Sequence, residues 1–309
     1  MNTFFILVKR NCKIYFKDKV MFFTSLITPV ALLVLYSTFL GNIYKSEVLT
    51  VVDAINKAVP ESVTLSDNLL NSFVGGQLLS SILAVSAINV AASCNMLMVQ
   101  DKATGVEKDL MISPVSPSLL MISYYVATLI STFAVCYTAT AVGFVYLAIV
   151  GWYMSFADVI LLLVDVFILV MLGTAVTSLI NFFLKTMGQV SAINSTISSG
   201  YGFICGAYMP ISNFGEWLGN SIGFFPGAYG TSLLRRPALR VVIREMEECG
   251  ITGDSLNFIK DRVDYSLYVF GKEIPAPVMY AALIGSILLL VGIYVLLGVL
   301  KSKKIIMKK

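Results

Sequence analysis

The sequence predicts an all-α membrane protein: six transmembrane helices, an N-terminal interfacial helix, and a re-entrant or external helical segment before the last span. Three observations predict this. Hydrophobic residues make up 57% of the chain and charged residues 13%, against about half and about a quarter in a soluble domain. The apolar residues come in long blocks, and 309 residues hold about six spans of roughly 20 residues plus loops. A short polar stretch, Gln100 to Pro117, stands between two of those blocks. No shift of composition marks a second domain, so residues 1–309 read as one transmembrane domain with a mean hydropathy of +0.84.

The elements follow in order. Residues 1–21 open with an amphipathic helix: Lys9, Arg10, Lys13 and Lys17 share one face, and Phe4, Leu7, Val8, Cys12, Ile14 and Tyr15 the other. This is the pattern of a helix lying in the interface plane; a charged lead-in to the first span is the plainer alternative. Because the basic residues are threaded through the apolar ones, the segment does not read as a cleavable signal. The first span covers 22–40, with a kink expected at Pro29. Residues 41–72 carry Asp53, Glu61 and Asp67 and read as a loop. The second span covers 73–99. The polar stretch 100–117 holds Asp101, Lys102, Glu107, Lys108 and Asp109, closed by Ser113 and Pro114. These charges would lose their hydration in hydrocarbon, so the stretch sits at a membrane face as a handle.

The third span covers 119–150 and ends in the aromatic turn Gly151, Trp152, Tyr153. The fourth covers 159–184, the fifth 190–209 with Pro210 closing it, and the last 278–300, stopped by Lys301, Lys303 and Lys304. Within 213–277, Asn213–Leu234 is too apolar for a plain loop and is broken by Gly215, Gly219, Gly223, Pro226 and Gly227. It reads as a pair of short helices dipping into the outer leaflet, since irregular backbone at membrane depth survives only when buried in protein or lining water. A surface amphipathic helix is the alternative. Residues 235–277 read as an external element, helical around Arg236–Glu248. Basic residues in the short segments place both termini and the handle in the cytoplasm.

Composition also excludes functions. The net charge of +4 is modest, and the terminal lysines suit an anionic lipid surface rather than nucleic acid. The chain has no histidine, and its five cysteines form no CxxC pair, so neither a metal site nor a disulfide framework follows. There is no GxxxxGK[ST] phosphate loop, so the chain does not read as an ATPase. A membrane-embedded enzyme would need a constellation that is missing; Asp158 and Asp165 are seven apart, but Asp158 lies near the interface.

Interfacial helix, six spans, a handle between the second and third, and a broken segment before the sixth together resemble the permease subunits of ABC-2-type transporters, the type V ABC exporter fold. The handle is similar to the family's coupling segment, in which an acidic lead-in and Gly-Thr-x-Glu precede Ser-Pro or Thr-Pro. Counted back from Ser113 and Pro114, Gly105 falls on the family's Gly and Asp101 on the acidic lead-in. Val106 replaces the usual Thr and Lys108 the usual Glu, with Glu107 and Asp109 flanking. Gly206 to Asn213, with Met209 and Pro210, is similar to the family's end of span five. Pro226, Tyr229 and Arg235 match its later Pro, aromatic and Arg, while Gly227 departs from its larger apolar residue.

The resemblance implies an ATP-driven exporter in the cell membrane of a bacterium, built from two permease chains, expected to be a homodimer, and two separate ATPase subunits. ATP and Mg would bind the ATPases, and this chain would hold no cofactor of its own. Asp101, Gly105, Glu107, Asp109 and Pro114 would engage an ATPase; the plainer reading of the handle is a solvated loop. Lys9, Arg10, Lys13 and Lys17 would hold anionic lipid headgroups. Ser191, Ser195 and Ser199, with Asn194 beside them, recur every four residues on the fifth span and let backbones approach; the resemblance puts them at the dimer interface and pathway, and spacing alone allows packing within the chain.

Gln77, Asn89, Asn95 and Asn181 line a path or tie helices together. Tyr201, Phe203, Phe224 and Phe225 contact an amphipathic substrate, or lipid and core. Asp165, inside the fourth span, is a proton or cation site in a gradient-driven carrier or channel, the competing function. The favoured reading for it is a protonated or hydrogen-bonded group in helix packing. Family members export drugs, peptides, lipids or polysaccharides, and the residues do not say which applies.

Overall fold

The computed structural model describes residues 2–35, 38, 41–58, 64–112 and 115–306. The chain is nearly all helical. α1 (Asn2–Lys17) and α2 (Lys19–Leu35) are followed by α3 (Gly41–Ala58), α4 (Asp67–Cys94), α5 (Met96–Thr104) and α6 (Val106–Ile112). Then come α7 (Pro117–Val150), α8 (Phe156–Phe183), α9 (Met187–Ile204), a 3-10 turn (Ile211–Asn213) and α10 (Glu216–Ile222). α11 (Pro226–Glu248), α12 (Gly253–Arg262), a hairpin of β1 (Tyr268–Val269) and β2 (Lys272–Glu273), and α13 (Ala276–Ile306) complete it.

Local sequence starts several helices. Ser66 and Ser116 cap α4 and α7 by accepting from Leu69 N and Leu119 N. Ser155 with Asp158, and Thr186 with Gln189, form reciprocal capping boxes on α8 and α9; each satisfies two of the N–H groups a helix start leaves open.

α4 is the central helix. Of its apolar window 89% is buried, against 28% in α7 and 22% in α13, which form the outer wall. Small residues let neighbours close on it: a side chain at Gly76 would collide with the Ala238 carbonyl of α11, and one at Gly173 of α8 with the Ala87 carbonyl. α1 packs on α7, burying Leu7, Val8 and Tyr15 while Lys9, Lys13 and Lys17 stay exposed.

Four helices are long and apolar enough to cross a membrane: the continuous stretch Asp67–Thr104, Pro117–Val150, Phe156–Phe183 and Ala276–Lys301. The expectation of six is met for four. The described part of α2 is 17 residues long, and much of 36–40 lies outside the described residues. α9 is diluted by Gln189, Asn194 and five Ser and Thr side chains.

Several boundaries differ from expectation. Residues 41–58, expected as part of a loop, are helical: α3 packs on α4 through Tyr44, Val48 and Val52, all buried, which a reading of the acids alone overlooks. The second span starts at its Ser66–Asp67 cap, six residues before Phe73, and runs on as helix into the handle. In place of two short helices in Asn213–Leu234 there is α10, followed by α11 of 23 residues. Pro226 serves as the first residue of α11 and does not break it. Ser113 and Pro114 lie outside the described residues.

Candidate functional site

The handle is an elbow of two helices whose inner side is tied down at four places. α4 breaks at Asn95, whose side chain donates to Ser178 Oγ (2.9 Å) and accepts from Thr128 Oγ1 (3.4 Å), while its carbonyl accepts from Asn181 Nδ2 (3.1 Å). Asn95 and Asn181 are therefore interhelical ties. One turn past Val99, Lys102 Nζ donates to the carbonyls of Asn181 (2.9 Å), Phe182 (2.9 Å) and Leu184 (3.3 Å). These belong to the open C-terminal end of α8, where a cation is best placed.

Asp101 is buried. Its carboxylate takes a two-pronged bond from Arg10, Nη1 at 2.7 Å and Nη2 at 3.2 Å, and a third from the Tyr124 hydroxyl. The bond to Asp101 raises the Arg10 pKa further, so the guanidinium stays charged. Arg10 thus leaves the basic face of α1 and locks that helix to α5 and α7, and Asp101 is turned into the bundle. The expected acidic lead-in is a strut within the chain.

Gly105 makes the elbow. Its φ of +86° is left-handed, and a Cβ there would meet nothing within 4 Å, so backbone conformation is what calls for glycine. Beyond it Glu107 accepts from Lys301 Nζ of α13 at 2.6 Å. Lys108 and Asp109 are exposed, and Ile112, three and four positions on and so on the same face, is 84% exposed.

At the opposite end of the bundle lies a second polar cluster. Arg235 of α11 is fully buried, with Nη1 3.0 Å from Asp264 Oδ2 and Nη2 2.6 Å from the Gly206 carbonyl. Asp264 also accepts from the backbone of Ile211 (2.6 Å) and Ser212 (3.1 Å). The pair joins α11, the end of α12 and the turn after α9. Pro210 starts the 3-10 turn there, and the Tyr229 hydroxyl donates to the Gly223 carbonyl. Gly230 packs against Leu169, thirteen residues into α8 and so about 20 Å along its axis at ~1.5 Å per residue. Asp158 pairs with Arg240 at 2.7 Å.

Ser191, Ser195 and Ser199 lie exposed on α9, with Asn194 half-buried beside them. Ser195 and Ser199 bond back to carbonyls four residues earlier, so the face is small and those two hydroxyls are satisfied. Asp165 Oδ1 accepts from the Tyr280 hydroxyl of α13 at 2.6 Å, while its Oδ2 is buried with no hydrogen-bond partner among the described residues. Gln77 and Asn89 are buried on α4; Phe203, Phe224 and Phe225 are exposed.

Reading the residues alone missed Tyr124, Lys102 and Asp264 as partners, and took Lys301 only as a stop. Charge balance was the available signal: a buried Arg235 requires an acid beside it.

Residues 2–237 match the family model of the ABC-2 type transporter. The match ends inside α11 and leaves α12, the hairpin and α13 beyond it. No curated protein and no solved structure shows a significant match to the chain. A match over most of the chain, on a helical bundle with an elbow between the first and second of its four long helices, is sufficient: the chain belongs to the ABC-2 type transporter family and is an ABC-type permease.

Proposed function

We propose that this permease is the membrane subunit of an ATP-driven exporter, working as a dimer with two separate cytoplasmic ATPase chains that bind ATP and Mg. The observation that carries the reading is the asymmetry of α6. Its inner side is fastened through Glu107 to Lys301, and α5 before it through Asp101 and Lys102 to α1, α7 and α8. Its outer side offers Lys108, Asp109 and Ile112. An exposed isoleucine flanked by charges suits a pocket with a polar rim on a soluble partner. Motion of the ATPases would be passed along α5 into α4, a shift between two packed states.

The exposed small-residue face of α9 with Ser191, Ser195 and Ser199 is the surface we assign to the second permease chain and the pathway. Lys9, Lys13 and Lys17 are assigned to anionic headgroups at about 1 kcal/mol each, with both termini cytoplasmic in a bacterial cell membrane. The segment through Pro210, α10 and the first half of α11, with Pro226, Tyr229 and Arg235, is assigned a re-entrant position. Cargo is a drug, lipid or peptide. A gradient-driven carrier built on Asp165 has less support, since one oxygen of that carboxylate is engaged with Tyr280 and it has no basic partner among the described residues to relay a proton.

The test is gentle purification of the chain from its native membrane with mass spectrometry of what accompanies it. A stoichiometric P-loop ATPase is expected, lost in Ile112→Asp and Asp109→Lys while the melting temperature of the chain holds. A clean complex without an ATPase overturns the reading.

A further inference from the structure

α11 carries four arginines, and the bundle accounts for them unequally. Arg235 is buried on Asp264 at 3.0 Å, and Arg236 lies over the Tyr265 ring and 4.0 Å from Glu273. Arg240 and Arg244, four apart and so on one face, line a pocket of about 530 Å³ together with Trp152, Tyr153 and Ser155. No acidic residue lines that pocket among the described residues. Arg240 meets Asp158 (2.7 Å) and Ser155 (3.5 Å) through Nη2, which leaves Nη1 and Nε for another acceptor. Arg244 has its helix neighbours Glu245 and Glu248 at 3.9 and 3.7 Å, beyond a good hydrogen bond. Exposed pairs of that kind contribute little, and both guanidinium groups stay open to solvent.

The pocket stands where the apolar outer wall of the bundle ends, at the end away from the elbow. Ile149, in the last turn of α7, is 80% exposed, and Phe156, the first residue of α8, is 81% exposed. Behind them the exposed face of both helices continues apolar through Val142, Val145, Ile160 and Val164. On helices that cross a membrane such a face marks the hydrocarbon, and Trp and Tyr mark the headgroup layer. Trp152 is held in the turn between the two helices, its Nε1 donating to the Met154 carbonyl (2.8 Å) and its ring against Phe144. The two guanidinium groups therefore lie at headgroup depth, beside surface on which acyl chains run. Paired guanidinium N–H groups match the oxygens of a phosphate.

We propose that this pocket binds the headgroup of an anionic phospholipid from the leaflet at that end of the bundle. Its phosphodiester bridges Arg240 and Arg244, and its chains lie on Ile149, Phe156 and Ile160. Two cations with no acid in the lining select an anionic head, because a choline or ethanolamine head would bring a cation of its own against them. The site is separate from the elbow and stands whether or not an ATPase docks on α6.

The probe is a phosphatidylglycerol with a diazirine near the head of one acyl chain, doped into phosphatidylcholine nanodiscs holding the full chain, with cross-links mapped by mass spectrometry. Saturable labelling is expected within 145–160, displaced by unlabelled phosphatidylglycerol and not by added phosphatidylcholine or by soluble glycerophosphoglycerol. Arg244→Gln, which breaks exposed ion pairs alone, weakens labelling about five-fold with the melting temperature unchanged, the share of one basic residue at a charged surface. Arg240→Gln combined with Asp158→Asn, which strands no carboxylate, weakens it by a similar factor. Labelling elsewhere, or labelling unchanged in Arg244→Gln, overturns the site. Equal displacement by phosphatidylcholine overturns the selection for an anionic head. Displacement by glycerophosphoglycerol shows a phosphate site that needs no lipid and overturns the lipid as its occupant.

Discussion

Lys301 Nζ lies 2.6 Å from Glu107 Oε1, fastening the first turn of α6 to the last helix of a chain in which the two residues are 194 positions apart. Two acids that stand two residues apart in sequence therefore have different fates. Glu107 is half-buried against α13, while Asp109 looks outward.

The two acids separate experimentally. Glu107→Lys places like charges against each other and is expected to destabilise the elbow by about 1–2 kcal/mol, with Lys301→Glu in the same chain restoring most of it. Asp109→Lys stays within about 0.5 kcal/mol, as surface changes do. Thermal melting of the three variants reads this directly; equal losses for Glu107→Lys and Asp109→Lys would show that the pair is not formed.

Gly105 is held by its backbone angle alone. Gly105→Ala is expected to cost about 1 kcal/mol, because a left-handed φ is unfavourable for a residue with a Cβ even where there is space for it. Gly105→Asn costs less, since Asn tolerates that region. Melting temperatures in the order Gly, Asn, Ala confirm it; an Ala variant equal to the parent would mean the elbow relaxes to another conformation.

Arg235 and Asp264 form a buried pair in which the acid has further duties. Arg235→Met strands a carboxylate and is expected to cost about 3–5 kcal/mol. Asp264→Leu costs at least as much, because it also orphans the Ile211 and Ser212 amides. The double change Arg235→Met with Asp264→Leu is less damaging than the sum of the two, and denaturation of the set as a double-mutant cycle measures the coupling.

Asp165 distinguishes the two transport mechanisms. Asp165→Asn keeps an acceptor for Tyr280, so export is expected to persist within about two-fold of the parent, insensitive to a collapsed proton gradient. Vesicle transport with and without an uncoupler checks this. Loss of transport in Asp165→Asn together with uncoupler sensitivity in the parent would move the function to a gradient-driven carrier.

Much of the bundle was legible because its signals are local. The four longest apolar stretches became the four long helices, and Ser155 with Asp158, Ser116 with Pro117, and Thr186 with Gln189 start their helices as short-range capping chemistry requires. α3 was not legible as packed structure: its acids signal solvent, and only the placement of Tyr44, Val48 and Val52 against α4 shows that one face is buried. The start of α11 was obscured by Pro226, which reads as a breaker in isolation and as a first-turn residue in context.

The sequence by itself determined the membrane class, the order of the four long helices and the position of the elbow, because hydropathy, helix capping and the demand of Gly105 for a left-handed φ act over a few residues. The tertiary structure alone decided which charges of the handle turn inward. Arg10 reaches Asp101 across 91 positions and Lys301 reaches Glu107 across 194. A charged side chain shows no sign in its own neighbourhood of a partner that only folding brings near. The same holds for Tyr201, whose hydroxyl finds its place against α11 because Gly227 leaves the space.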